Sequence, residues 1–165
     1  MDNYRDITAE FAKSLGAALK ARSLKLALAE SCTGGMVAAA VTEIAGSSAW
    51  FDCGFVTYSN AAKIEMLGVN AETLEKFGAV SEEAASEMAL GALKHSHAQI
   101  AGSITGIAGP DGGSADKPVG TVCFGFAQDN QSTTCTQQFT GNRAQIRQQA
   151  AVFLMQQLIQ QLNDN

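Results

Sequence analysis

The sequence predicts an α/β fold, a three-layer α/β/α sandwich whose mixed, mainly parallel sheet ends in an antiparallel edge hairpin. Two observations carry this. Short apolar runs at residues 24–29, 50–58 and 99–105 alternate with segments of helical spacing, the pattern of parallel strands joined by helical crossovers. Two further strand-like runs, 119–127 and 133–139, flank a turn at Asp129-Asn130, which makes them a hairpin.

Each element has its own signal. Ile7, Phe11, Leu15, Ala18 and Leu19 recur at helical spacing and predict a first helix over 7–21, with Asp6 or Thr8 as its cap. Leu24 to Ala29 reads as a buried strand, bounded by the turn chemistry of Ser31 to Gly35, and a helix of small residues follows to Ile44. Gly46-Ser47-Ser48 interrupts it. Aromatic and β-branched residues make 50–58 the second strand, ended by Ser59-Asn60. Two short helices, 61–67 and 70–77, precede a longer one that Ser81-Glu82-Glu83 caps and that runs to His95, with Ala84, Met88 and Leu93 facing inward. Gln99 to Thr105 is the third strand, and a glycine-rich loop from Gly106 to Gly113 continues as loop through Pro118. After the hairpin, Ile146, Ala150, Phe153, Leu154, Leu158 and Ile159 form the inner stripe of a closing helix over 143–162. No linker and no internal repeat divides the chain, so residues 1–165 are expected to form one domain.

Composition narrows the function. Apolar residues make up 46% and charged residues only 16% of the chain, the balance of an ordered domain. The formal net charge of −5 comes without any Lys/Arg cluster, which argues against nucleic acid as a partner. Cys32, Cys53, Cys123 and Cys135 are scattered with no C-x-x-C spacing and no paired histidine beside them, so neither a metal site nor a disulfide framework is expected. The N-terminus lacks a basic head with an apolar run behind it, and no window approaches ~18 consecutive apolar residues. The expectation is a cytoplasmic protein that does not engage a membrane. Exposed apolar edges on a domain of this size point to a homodimer.

In an open α/β sheet the ligand crevice lies beyond the carboxyl ends of the strands. Three loops leave strands there with reactive or anion-binding chemistry: 31–35, 59–63 and 106–113. Ser31, at a strand-to-helix turn and followed by Thr33-Gly34-Gly35, has two readings. It is a nucleophile with backbone N–H groups of the turn holding an oxyanion, or it is an ordinary helix cap. A Ser-His-Asp arrangement is disfavoured, because His95 and His97 precede the third strand and so lie at the opposite edge of the sheet.

Lys63 is the better base, since it approaches Ser31 across the crevice. The role demands burial or cationic neighbours, because a free lysine with a pKa of about 10.4 is protonated at neutral pH. Its other reading is a solvated helix residue. Tyr58 stands where it can bridge serine and lysine or steady the leaving group, and Cys32 is a rival nucleophile without an evident activating partner. The loop Thr105-Gly106-Ile107-Ala108-Gly109-Pro110-Asp111-Gly112-Gly113 offers close backbone approach to an anion, or is simply a tight connection. Lys117 and Arg143 are candidate phosphate cations. Arg143 stands at a helix start, where the dipole does not favour it.

Taken in order, AESCTGG, VTYSNAAKIEMLGV, GAVSEEAA, TGIAGPDGG, KPVGTV and FTGNR resemble the CinA C-terminal domain family, and within it the stand-alone nicotinamide mononucleotide deamidases. The resemblance covers about residues 7–160. It implies hydrolysis of the carboxamide of nicotinamide mononucleotide to nicotinic acid mononucleotide and ammonia, in pyridine nucleotide salvage. It further implies a Ser/Lys-type amidohydrolase with Ser31 as nucleophile, Lys63 as general base and Tyr58 assisting. Cys32, Thr33, Gly34, Gly35, Asn60, Thr105, Gly106, Gly109 and Arg143 are the expected substrate contacts. No cofactor and no metal are expected, since acyl transfer needs only a hydroxyl, a proton shuttle and N–H donors. The nucleotide-hydrolysing domain of longer family members is not expected here. Two other readings stay open on the residues alone: a non-catalytic nucleotide-binding module, and an amidase for another small amide.

Overall fold

The structure, a computed structural model, describes residues 2–165. One five-stranded sheet runs β2-β1-β3-β4-β5, formed by β1 (Leu26–Glu30), β2 (Phe51–Val56), β3 (Ile100–Gly106), β4 (Thr121–Gln128) and β5 (Gln131–Gln138). β1 pairs parallel with β2 and β3, whereas β4 runs antiparallel to both β3 and β5. Helices cover both faces, as a three-layer sandwich requires. α1 (Asp2–Ala21), α2 (Met36–Thr42) and α6 (Arg143–Asp164) lie on one side, and α3 (Asn60–Leu67), α4 (Ala71–Phe77) and α5 (Glu82–Lys94) on the other.

The two faces are packed by different residue sizes, and the period-2 alternation of β1 separates them. Leu26 and Leu28 join Ile104, Phe124, Leu15 and Leu154 in the core under α1 and α6. Ala27 and Ala29 face the other way, with Ala101 and Ala127, beneath Met88 and Ala84 of α5. This small-residue face lets α5 approach the sheet until Ser103 Oγ donates to the Ala85 carbonyl at 2.6 Å. Gly125, paired with Ser103 across the ladder, lies so close to the Ala85 carbonyl that a side chain there would collide with it.

Several boundaries differ from the sequence expectation. α1 begins at Asp2, not Ile7, so neither Asp6 nor Thr8 caps it. Thr8 instead donates its hydroxyl back to the carbonyls of Tyr4 and Arg5, at 2.7 and 3.0 Å. The stripe extends backwards through Tyr4, half-buried like Ile7, and no breaker precedes it. β1 starts two residues late because Ser23 turns the chain at φ 55, and it runs one residue further, through Glu30. α2 stops at Thr42, and a 3₁₀ turn over Ser47–Ala49 follows. The hairpin is tighter than expected: Gln128 pairs with Gln131 across Asp129 and Asn130, at φ 53 and 59, the left-handed pair that a two-residue turn between twisted strands needs. Ser81 caps α5 as read, accepting from Ala84 N at 3.1 Å.

Candidate active site

The carboxyl ends of β1, β2 and β3 lie side by side, and the turns leaving them are stitched together. Ser31 N–H donates to the Ile104 carbonyl at 3.0 Å and Thr57 N–H to the Glu30 carbonyl at 2.9 Å. The residue after β1 is thus fixed to β3, and the residue after β2 to β1. A cavity of about 260 Å³ opens above them, lined by Ser31, Cys32, Tyr58, Asn60, Lys63, Ala79, Val80, Thr105, Gly106, Ala108 and Arg143.

Lys63 enters from α3. Ser59 caps that helix, its Oγ accepting from Ala62 N at 3.0 Å, and Lys63 sits on the face turned toward β1, where it is 2% exposed. Its Nζ lies 3.0 Å from Ser31 Oγ and donates to the Thr57 carbonyl at 2.9 Å. Among the described residues no carboxylate forms an ion pair with it. Burial pushes the Lys63 amine below the usual lysine value of 10.5, against a smaller upward pull from Cys32. That pull requires a thiolate. The Cys32 thiol is itself held up at about 11, mainly by burial, so it is neutral near pH 7 and the pull is absent there. The same shift leaves Cys32 a poor nucleophile.

The turn carrying Ser31 is held from below by Glu30, which is 1% exposed. One carboxylate oxygen accepts from Thr33 Oγ1 at 2.7 Å, Gly35 N at 3.1 Å and Val37 N at 3.2 Å, and the other from Ala38 N at 2.9 Å. Glu30 thereby satisfies the otherwise orphaned donors at the start of α2. From α6, Arg147 donates Nε to the Cys32 carbonyl at 2.9 Å and Nη2 to the Thr33 carbonyl at 3.2 Å.

These contacts change what the turn offers. Thr33 caps no helix: its hydroxyl donates to Glu30. Gly34 N–H donates to the Ser31 carbonyl at 3.0 Å, and Gly35 N–H is taken by Glu30. Thr33, Gly34 and Gly35 do not line the cavity. Gly34 and Gly35, at φ 59 and 99, shape the turn, a conformation that favours glycine. Among the described residues, the turn's remaining donors without an acceptor are the N–H groups of Cys32 and Thr33.

The rim is formed by Tyr58 and Arg143. Tyr58 is 62% exposed, and its hydroxyl accepts from Arg143 Nη2 at 3.1 Å, while Arg143 Nη1 donates to the Gly109 carbonyl at 2.9 Å. Tyr58 therefore does not bridge Ser31 and Lys63; its hydroxyl is engaged at the mouth. Asn60 and Gly106 line the wall, whereas Gly109 stands behind it as the Arg143 acceptor. Thr105 donates to the Ala79 carbonyl at 2.7 Å, tying β3 to the segment before α5. Lys117 lies elsewhere, its Nζ donating to the Phe77 carbonyl at the end of α4. His95 and His97 lie at the amino end of β3, with His95 Nδ1 2.8 Å from the Gly91 carbonyl.

Sequence reasoning missed Glu30, Thr57, Ala79, Val80 and Arg147. For Arg147 a signal exists: it follows Arg143 by four residues, so two cations share one face of α6 near its start, where the dipole opposes them.

A family model described as the CinA C-terminal domain matches residues 8–162. The chain is 59% identical over 157 residues to a nicotinamide-nucleotide amidohydrolase PncC of Enterobacter agglomerans, covering 94% of this chain and 96% of that one. Against the protein of the same name from Escherichia coli K12 the identity is 54% over 157 residues, with 94% and 95% covered. It also matches a longer CinA-like protein of Chlorobium limicola at 52% identity over 141 residues, 82% of this chain and 33% of that protein. Among solved structures, the competence/damage inducible protein CihA from Agrobacterium tumefaciens superposes with a TM-score of 0.91 at 46% identity, covering 95% and 96% of the two chains. A competence-damaged protein (CinA) superfamily protein from Klebsiella pneumoniae gives 0.92 at 42% identity, covering 96% and 99%.

Proposed function

The chain belongs to the CinA C-terminal domain family, and from that premise we propose that it is a nicotinamide-nucleotide amidohydrolase, converting nicotinamide mononucleotide and water to nicotinic acid mononucleotide and ammonia. The observation that carries the reading is the buried 3.0 Å contact between Lys63 Nζ and Ser31 Oγ, found in a chain whose relatives of nearly equal length bear that activity in their names.

In this mechanism neutral Lys63 accepts the Ser31 proton through the Nζ lone pair while one of its own N–H groups donates to the Thr57 carbonyl. Ser31 Oγ attacks the carboxamide carbon, and the carbonyl oxygen becomes an oxyanion. The N–H group of Cys32, which lines the cavity and has no acceptor among the described residues, receives that charge. Lys63 then returns the proton to the departing nitrogen, the C–N bond breaks, and ammonia leaves an acyl ester on Ser31. Water, deprotonated by Lys63, hydrolyses the ester and frees the carboxylate. Glu30 and Arg147 hold the turn rigid through these steps without touching substrate. Arg143 and Asn60 contact the ribose-phosphate, and Tyr58 flanks the ring at the mouth. No cofactor enters the balance.

The reading extends to a homodimer in the cytoplasm. Val56, Ile64 and Met66, large apolar side chains exposed on β2 and α3, support an interface between copies. Four free cysteines suit a reducing compartment, and no described helix is long and apolar enough to cross a membrane. Ammonia release from nicotinamide mononucleotide tests the activity: the wild-type chain turns over, and Ser31→Ala does not. Tight binding of the nucleotide with no ammonia from the wild type would replace this reading with a binding module.

A further inference from the structure

Among the described residues, the site contains a buried lysine and no acid to accompany it. Every charged or titratable group facing Lys63 can be named. The β1–α2 turn contributes the Cys32 thiol, the segment after β2 the Tyr58 phenol, and α6 the Arg143 guanidinium. β3 contributes Thr105 and Gly106, and the stretch before α5 contributes Ala79 and Val80. α5 packs with Ala84, Met88 and Ala89. Glu30 is the nearest acid along the chain to Ser31, and its carboxylate is spent on Thr33 and the start of α2. Glu65, on α3 itself, is exposed. A protonated Lys63 would therefore share the cavity with Arg143 and no compensating carboxylate.

Into this cavity the proposed substrate brings a fixed positive charge, because ribosylation makes the ring nitrogen of nicotinamide a pyridinium. The carboxamide is attached two bonds from that nitrogen. With its carbon at attack distance from Ser31 Oγ, and Lys63 Nζ 3.0 Å from the same oxygen, the ring nitrogen comes to roughly 6 Å from Nζ. We propose that this pyridinium charge drives the proton off the Lys63 ammonium, so that the site selects cationic N-ribosylated pyridine carboxamides over neutral aryl carboxamides. The substrate thus finishes the activation that burial begins. The proton leaves to solvent through the open mouth, and Lys63 is left with the lone pair that Ser31 needs. Arg143, held at the rim by Gly109 and Tyr58, is present with and without ligand, so the change on binding comes from the pyridinium. Two like charges at that separation, at a dielectric near 20, shift a lysine downward by on the order of one to two pH units, part of the gross effect being offset by the phosphate.

This inference rests on the amidohydrolase reading, and the experiment separates the two. Nicotinamide mononucleotide is titrated calorimetrically into Ser31→Ala in buffers of different ionisation enthalpy, from pH 6 to 10. The comparison ligand is the 5′-phosphorylated C-nucleoside in which a neutral benzamide ring replaces the pyridinium. The phosphate contributes equally to both. The pyridinium ligand is expected to release up to about one proton more than the benzamide ligand over part of that range, and the difference vanishes in Ser31→Ala/Lys63→Met. Wild-type kinetics supply a second readout: the pH midpoint of kcat lies one to two units below that of kcat/KM. Equal proton release by both ligands at every pH, a difference that survives Lys63→Met, or coincident midpoints each overturn the inference while leaving an active amidohydrolase. A wild-type chain that releases no ammonia at any pH overturns the amidohydrolase reading itself.

Discussion

The carboxylate of Glu30 accepts the hydroxyl of Thr33 at 2.7 Å from within the protein, and three backbone N–H groups of the following turn and helix converge on the same two oxygens. A carboxylate so placed is both a cap and a splint. Glu30→Ala orphans these donors and is expected to cost about 2–5 kcal/mol of stability. Glu30→Gln keeps the acceptor oxygen and should recover a large part of that loss. Denaturant melts of the two variants check the order, and equal melts would show that the donors find other partners.

Arg147 acts on the other side of the turn, through the carbonyls of Cys32 and Thr33. Arg147→Lys keeps the charge but not the forked geometry. It is expected to lower kcat by roughly 10–100-fold with KM little changed, because positioning errors of about 1 Å cost on that scale. Steady-state kinetics with nicotinamide mononucleotide decide it. A rise in KM at constant kcat would reassign Arg147 to substrate binding.

Ser31→Ala should remove activity by a factor on the order of 10⁴ or more, as losses of attacking hydroxyls do, with the melting temperature close to wild type. Tyr58→Phe is expected to cost far less, under about tenfold, because its hydroxyl meets Arg143 at the rim and not the Ser31–Lys63 pair. Ammonia release measured on both variants ranks them, and equal severity would return Tyr58 to the proton path.

The pH dependence of stability follows from Lys63. Its folded pKa is lowered, so between that value and the ordinary lysine pKa the native chain binds fewer protons than the unfolded one, and stability rises with pH across the window. Below the folded pKa the penalty is complete; above about 10.5 it is gone. Lys63→Met removes this term. The stability of the variant relative to wild type should therefore be greater at pH 7 than at pH 10, and a difference independent of pH would mean Lys63 carries no shift.

Much of this architecture was readable from pattern. The alternation of apolar runs and helical spacing predicts five strands and puts the loops 31–35, 59–63 and 106–113 at one end of the sheet, and the cavity draws residues from all three. The meeting of Ser31 and Lys63 at 3.0 Å follows from that topology. What could not be read was how the turn is supported. Glu30 is an acid at the end of a strand with every residue buried, and apolar periodicity has no means of marking a carboxylate that faces inward to serve donors. The Thr33 hydroxyl itself donates to Glu30, whose two oxygens take the donors at the helix start. α1 was misplaced at its start because Tyr4 is only partly apolar, although it continues the buried stripe.

Ser31 and Thr57 hang from neighbouring rungs of the sheet, by the Ser31-to-Ile104 and Thr57-to-Glu30 backbone bonds. Ser31 and the Thr57 carbonyl that accepts from Lys63 are thus borne by the central ladder and not by independent loops. No partial opening of the surface can separate them while the sheet survives. Thermal inactivation should accordingly coincide with global unfolding, and enzyme assayed at rising temperature would remain at full specific activity per folded molecule until the sheet itself gives way.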